Sequence, residues 1–246
     1  MGNAVKIIAL VVCLNLIPTL RTFAGPPYLT DDPEPTDYQH WEAYFFTTGD
    51  YHTSYAINGP AAELDYGGFP DTQLTLDIGM ATASGGGMPT VSGFGDVAMS
   101  IKYRFLHETN GWPELAVFPG LTLPTGDASR GLGNGRATYH LPLWAQKSLG
   151  SWTVDAGGGV FLNSVPGARN YPYGGLLLQR DLGKHLSLGG EVFAQGQDAD
   201  DDRGFVALNF GGSYNFTEHF SAQASAGHSI AGDEHTLWYF GFYWTW

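Results

Sequence analysis

The stretch from His235 to Trp246 reads HTLWYFGFYWTW, and its reading decides the fold. Trp238, Phe240, Phe242, Trp244 and Trp246 occupy every second position. A β-strand sends successive side chains to opposite faces, so all five rings project from one side. A soluble sandwich rarely gives one face of a strand to aromatics alone. A strand whose outer face meets hydrocarbon does so readily, with rings concentrated where lipid gives way to water.

The same period of two runs through the preceding sequence. Between Phe94 and Phe105, Val97, Met99, Ile101, Tyr103 and Phe105 oppose Asp96, Ser100, Lys102 and Arg104. Leu74, Leu76, Ile78 and Met80 oppose Gln73, Thr75 and Asp77, and Val154, Ala156, Val160 and Leu162 oppose Thr153, Asp155 and Asn163. Each such segment is long enough to cross a bilayer as a tilted strand, which takes ~9–11 residues. In hydrocarbon an open sheet edge would leave unpaired N–H and C=O groups at several kcal/mol each, so the sheet must close. The expectation is an all-β, antiparallel transmembrane outer-membrane β-barrel of about twelve strands spanning 41–246. Short connections fall near Phe69-Pro70, Asn110-Gly111, Gly150, Gly183-Lys184 and Thr217-Glu218. Longer, polar or glycine-rich ones are expected near 49–60, 84–93, 123–135, 163–171, 196–204 and 230–235. An even strand number places both termini on the periplasmic side.

Ahead of the barrel, Lys6, the apolar run Ile7 to Leu20 and the small-x-small pattern Thr22-Phe23-Ala24 read as a signal peptide, 1–24, cleaved after Ala24. Export places the chain in the outer membrane of a Gram-negative bacterium, with lipid and lipopolysaccharide around it. The aromatic stripe at 238–246 resembles the C-terminal signal by which barrel-assembly machinery takes up its substrates. Cys13, the single cysteine, lies inside the signal, so disulfides, thiolate metal sites and a cysteine nucleophile are excluded from the mature chain. Residues 25–40 are rich in proline and acid and cannot form a regular ladder or helix. They form either a flexible periplasmic lead or a strap into the lumen, and the lead is the expectation. The net charge of −13 repels phosphate backbones, so nucleic acid is not a partner. Charged residues make up only 14% and aromatics equally 14%, a balance that suits a lipid-facing sheet better than a soluble domain.

About twelve strands enclose more space than a packed eight-strand barrel and less than a wide porin. A narrow polar lumen follows, lined by Glu63, Asp65, Asp77, Asp96, Lys102, Arg104, His140, Lys147, Asp155, Glu191 and Gln195. Opposite charges there pair into a rigid network or line a solute path. Asp198 to Asp202 form an acidic loop, read as solvated, with a divalent cation as the alternative. Glycine-rich 125–136, with Asp127, Arg130 and Arg136, matches neither a Walker loop nor GxGxxG and is read as an external loop. Nothing calls for a cofactor. His140 has no serine beside it on its own face, and His228 and Ser229 point apart, so a hydrolase is not the reading.

Several stretches resemble a known family, the outer-membrane transporters associated with the meta-pathway of phenol degradation. They are Gly25-Pro26-Pro27-Tyr28-Leu29-Thr30-Asp31-Asp32-Pro33-Glu34-Pro35, Trp41-Glu42, Gly95-Asp96-Val97, Lys102-Tyr103-Arg104-Phe105, Pro113-Glu114-Leu115-Ala116 and Leu123-Pro124-Thr125-Gly126-Asp127. The resemblance implies a monomeric barrel that passes aromatic or other apolar small molecules. Two alternatives stand beside it: a structural or surface-interaction barrel with a plugged lumen, and a lipid-modifying hydrolase.

Overall fold

The computed structural model describes residues 26–52, 54–85, 88–165, 167–200 and 203–246. The expected signal peptide and its cleavage after Ala24 lie outside these residues. So do Asp201 and Asp202 of the acidic loop. The described chain forms a closed antiparallel barrel of twelve strands.

The strands are β1 (Trp41–Tyr51), β2 (Ser54–Phe69), β3 (Thr72–Gly85), and β4 in two parts (Met88–Phe94 and Val97–Leu106). β5 is also split (Glu114–Val117 and Gly120–Leu123), and β6 (Thr138–Leu149), β7 (Trp152–Asn163) and β8 (Tyr171–Asp181) follow. The last are β9 (Leu186–Gln195), β10 (Phe205–Asn215), β11 (Phe220–Gly232) and β12 (Thr236–Thr245). Each strand pairs with the next, and β1 closes on β12 in a register running from Glu42↔Thr245 to Tyr51↔Thr236. Trp41 and Trp246 exchange both backbone hydrogen bonds at 2.9 and 3.0 Å, sealing the joint. The barrel thus has no free edge, as hydrocarbon demands.

The alternation sorts side chains as the sequence implies. Leu74, Leu76, Ile78, Met99, Ile101, Leu141, Leu143, Leu176 and Leu178 stand exposed on the outer wall. Phe240, Phe242, Trp244 and Trp246 join them, so the aromatic stripe of β12 faces outward. Phe216, Phe220, Phe242 and Trp244 form a belt with centroids 5.5–5.8 Å apart near the end that carries the short turns. Rings at that level suit a boundary with one apolar and one wet side.

Two breaks in the ladder have local causes. Phe94 and Met99 are both exposed although an odd number of positions separates them. The Gly95-Asp96 bulge resets the alternation between the halves of β4, as bulges do. In β5 the break is Phe118-Pro119. Phe118 N–H donates to Pro142 C=O at 3.3 Å, but proline has no N–H to return the bond.

Two stretches expected as long loops are ladder instead. β1 runs to Tyr51 with β2 resuming at Ser54, and β3 runs to Gly85 with β4 resuming at Met88. The second hairpin extends because its polar side chains pair across it: Thr82 with Ser92 at 2.8 Å and Ser84 with Thr90 at 2.9 Å. Polar residues there mark a hairpin projecting from the bilayer, not the end of pairing. Loop 124–137 folds back onto this hairpin. Its Leu132 is 2% exposed, and Arg130 donates to Ser92 C=O.

Candidate functional site

The segment before β1 is the strap of the two alternatives, not the free lead. The expectation of a lead rested on its prolines, which forbid a ladder but do not forbid burial. Its path is fixed by polar groups projecting into the lumen. Ser225 of β11 donates to Pro27 C=O. The Glu191 carboxylate on β9 accepts the N–H groups of Leu29 and Thr30 at 2.8 and 2.7 Å, and the Asn209 amide at 2.8 Å. Lys102 on β4 reaches Asp31 at 3.2 Å and Asp32 at 3.3 Å. Gln73 on β3 accepts the Thr36 N–H at 2.9 Å. Backbone that cannot pair in a sheet is thus satisfied by wall side chains. Gly175 makes room for it: a Cβ there would lie 2.0 Å from Thr30 Oγ1. Thr30 is fully buried and Lys102 nearly so.

Around the strap the lumen has two unlike sides. On β1–β3, Glu42, Glu63, Asp65 and Asp77 share the inner face with Tyr44, and with Tyr239 and Tyr243 of the adjoining β12. Glu63 stands directly opposite Asp77. Thr75 donates to Asp65, and Tyr44 packs on Tyr243 with centroids 4.8 Å apart. On β5–β9 the inner face carries rings toward the loops, beside polar residues such as Gln146, Asp155 and Glu191. Trp144 meets Tyr173 at 6.4 Å, and Tyr173 meets Phe193 at 6.3 Å. His140 stacks on Phe161 at 6.4 Å, which stacks on Tyr171 at 5.1 Å. Gly120 lets the imidazole lie flat against the wall, since a Cβ there would fall 2.1 Å from it.

These rings line an open cavity of about 280 Å³ on the loop side of the strap. Leu29 and Asp31 form its floor; Phe118, His140, Pro142, Trp144, Phe161, Tyr171, Tyr173, Phe193 and Gln195 form its walls. Such a chamber buries a single-ring molecule against aromatic faces, with a few polar groups to orient it.

Among residues expected to line the lumen, Glu63, Asp65, Asp77, Lys102, His140, Asp155, Glu191 and Gln195 do lie on the inner face. Arg104 lies there too, at the turn end, bound to Asp71 at 2.7 Å and Glu114 at 3.3 Å. Lys147 does not. It stands an odd number of positions from His140, so the two must project from opposite faces. It pairs in register with outward-facing Val154 and reaches Glu108 at 2.9 Å beside the 107–113 connection. Asp96 is spent on the bulge, where its carboxylate accepts N–H groups of Gly126 at 2.9 Å and Asn134 at 2.7 Å and pins loop 124–137. In the acidic loop Asp200 lies 3.5 Å from Arg169. To the expected narrow polar lumen the structure adds a ring-lined pocket on β5–β9, across from the carboxylates of β1–β3.

Glu42 and the aromatic wall were missed, and the strap stood only as the alternative to a free lead. Parity alone contained the signal for the wall: Trp144 shares the face of His140, Phe161 that of Asp155, and Phe193 that of Glu191.

Fold and lumen together define a closed antiparallel barrel of the outer-membrane type. Residues 67–238 match the family model described as "Putative MetA-pathway of phenol degradation", and the chain belongs to that family. An outer-membrane channel from Pseudomonas putida F1 superposes with a TM-score of 0.70 at 19% identity, covering 87% of this chain and 98% of its own. The NanC porin gives 0.54 at 7% identity, covering 81% and 98%, and the KdgM porin 0.52 at 10%, covering 82% and 98%. At these identities the likeness is one of fold. No curated protein matches the chain.

Proposed function

We propose that the protein is a monomeric outer-membrane barrel, exported by cleavage after Ala24, that passes small aromatic or otherwise apolar molecules into a Gram-negative cell. The aromatic cavity carries this reading. Water-filled pores for hydrophilic solutes are lined by polar and charged groups. Here one side of the lumen offers rings at a size suited to one small molecule, and the family name points to the same chemistry. Flux is passive, down the solute gradient.

A second reading, a plugged barrel with a structural or surface role, has its own observation in the strap held by Glu191, Lys102 and Gln73.

Paired measurements separate the two. Cells carrying the protein in their outer membrane should take up labelled toluene faster than cells lacking it, while proteoliposomes swell only slowly in arabinose. Trp144→Leu should reduce the toluene difference. Fast arabinose swelling with unchanged toluene uptake would make the protein a hydrophilic pore; no change in either would make it a plug.

A further inference from the structure

We propose that the aromatic cavity recognises an aromatic molecule bearing a positively charged nitrogen, with its ring against Trp144 and Tyr173 and its cation toward Asp31. This deepens the reading of the cavity as the cargo site and rests on it.

Three observations converge. The first is the wall itself. Trp144, Tyr173 and Phe193, on β6, β8 and β9, are neither parallel nor edge-on: the first pair is inclined at 52° and the second at 32°. Rings inclined in this way around one pocket carry electron-rich π faces, and such faces attract cations, Trp most strongly.

The second is that the chamber's edge already holds an ammonium group. Lys102 Nζ sits 4.8 Å from the centroid of Phe118, a ring of the cavity wall, while also bound to Asp31 and Asp32. A carboxylate and a ring together thus hold a buried cation a few ångströms from the cavity.

The third is the balance of charge. Asp31 is the one formally charged residue among those forming the cavity. Asp31 shares a single base, Lys102, with the buried Asp32, so two carboxylates stand there against one ammonium. A cavity with this surplus of carboxylates repels an anion, gains only apolar burial with a neutral arene, and gains both burial and attraction with an aryl ammonium.

The test is equilibrium dialysis of the full barrel in detergent micelles, with protein-free micelles as the reference. The ligands are phenyltrimethylammonium and its neutral isostere tert-butylbenzene. The expected result is that the cation binds at least about tenfold more tightly. Asp31→Asn, a change in the strap and not in a strand, should weaken the cation severalfold and tert-butylbenzene less, so that the preference for the cation narrows. Trp144→Leu should weaken both. Equal or tighter binding of tert-butylbenzene, or cation binding indifferent to Asp31→Asn in a variant whose β-sheet circular dichroism is intact, would overturn the inference while leaving passage of apolar molecules standing. Binding of neither ligand would overturn both.

Discussion

The two sides of the lumen follow the same strand alternation and end in opposite chemistry. On β1–β3 the inward positions are Glu42, Tyr44, Glu63, Asp65 and Asp77; on β6–β9 they include His140, Trp144, Phe161, Tyr173 and Phe193. Outward positions on both sides are apolar because lipid selects them. Inward positions face no such uniform solvent. They face whatever stands at their height in the lumen: other carboxylates and tyrosines on β1–β3, the strap in the middle, the pocket beside the rings. Period two therefore tells which residues point inward, and their chemistry tells what they meet there.

The largest test of this contrast is removal of the divider. Deleting residues 26–36 should raise single-channel conductance severalfold, because the strap fills the lumen between the carboxylates of β1–β3 and the rings of β5–β9. An unchanged conductance would mean that the walls alone close the lumen.

Lys102→Met should come next. It leaves the buried Asp32 and the half-buried Asp31 without their cation, a defect worth up to about 3 kcal/mol. The strap amides held by Glu191, at Leu29 and Thr30, should exchange hydrogen far faster in the variant while the strands remain protected. Equal protection would show that Glu191 and Gln73 suffice.

Trp144→Leu sharpens the comparison from the other side: binding of a single-ring ligand should fall about tenfold, or 1.4 kcal/mol, with ion conductance little altered. Paired substitutions Glu63→Gln and Asp77→Asn should do the reverse. They lower the preference for cations over anions, measured as a reversal potential, and leave ring binding unchanged.

The smallest effect is at the β2–β3 turn. A little burial raises the Asp71 carboxyl, but hydrogen bonds and charge from Arg104, with His107 nearby, hold it below the ordinary aspartate value of about 3.9. A depressed value means the turn gains stability above that pH and loses it as pH falls through the lowered value. Turn amides should therefore stay protected at pH 5 and loosen only in stronger acid. Asp71→Asn should remove the pH dependence.

Much of this was legible in the residues. The stripe at Trp238–Trp246, the outward leucines and the inward acids required only that side chains alternate. The strap was not legible, because proline-rich backbone satisfies its hydrogen bonds by long-range contacts, such as Leu29 with Glu191, that no local pattern encodes. The extension of β3 and β4 past the bilayer was hidden for a related reason. Thr82 and Ser92 look like loop residues until their pairing across the hairpin is seen. Lys147 was legible and misassigned, since its odd spacing from His140 already put it outside. The aromatic wall lay in between: its parity was readable, but rings in a barrel are ordinarily credited to the lipid face.

The most direct test is a crystal soaked with 4-bromophenol and measured at the bromine absorption edge. The account predicts an anomalous peak within the chamber bounded by Trp144, Tyr173 and Phe193, above Leu29 and Asp31. Bromine found only on the outer wall, or among Glu42, Glu63 and Asp77, would contradict it.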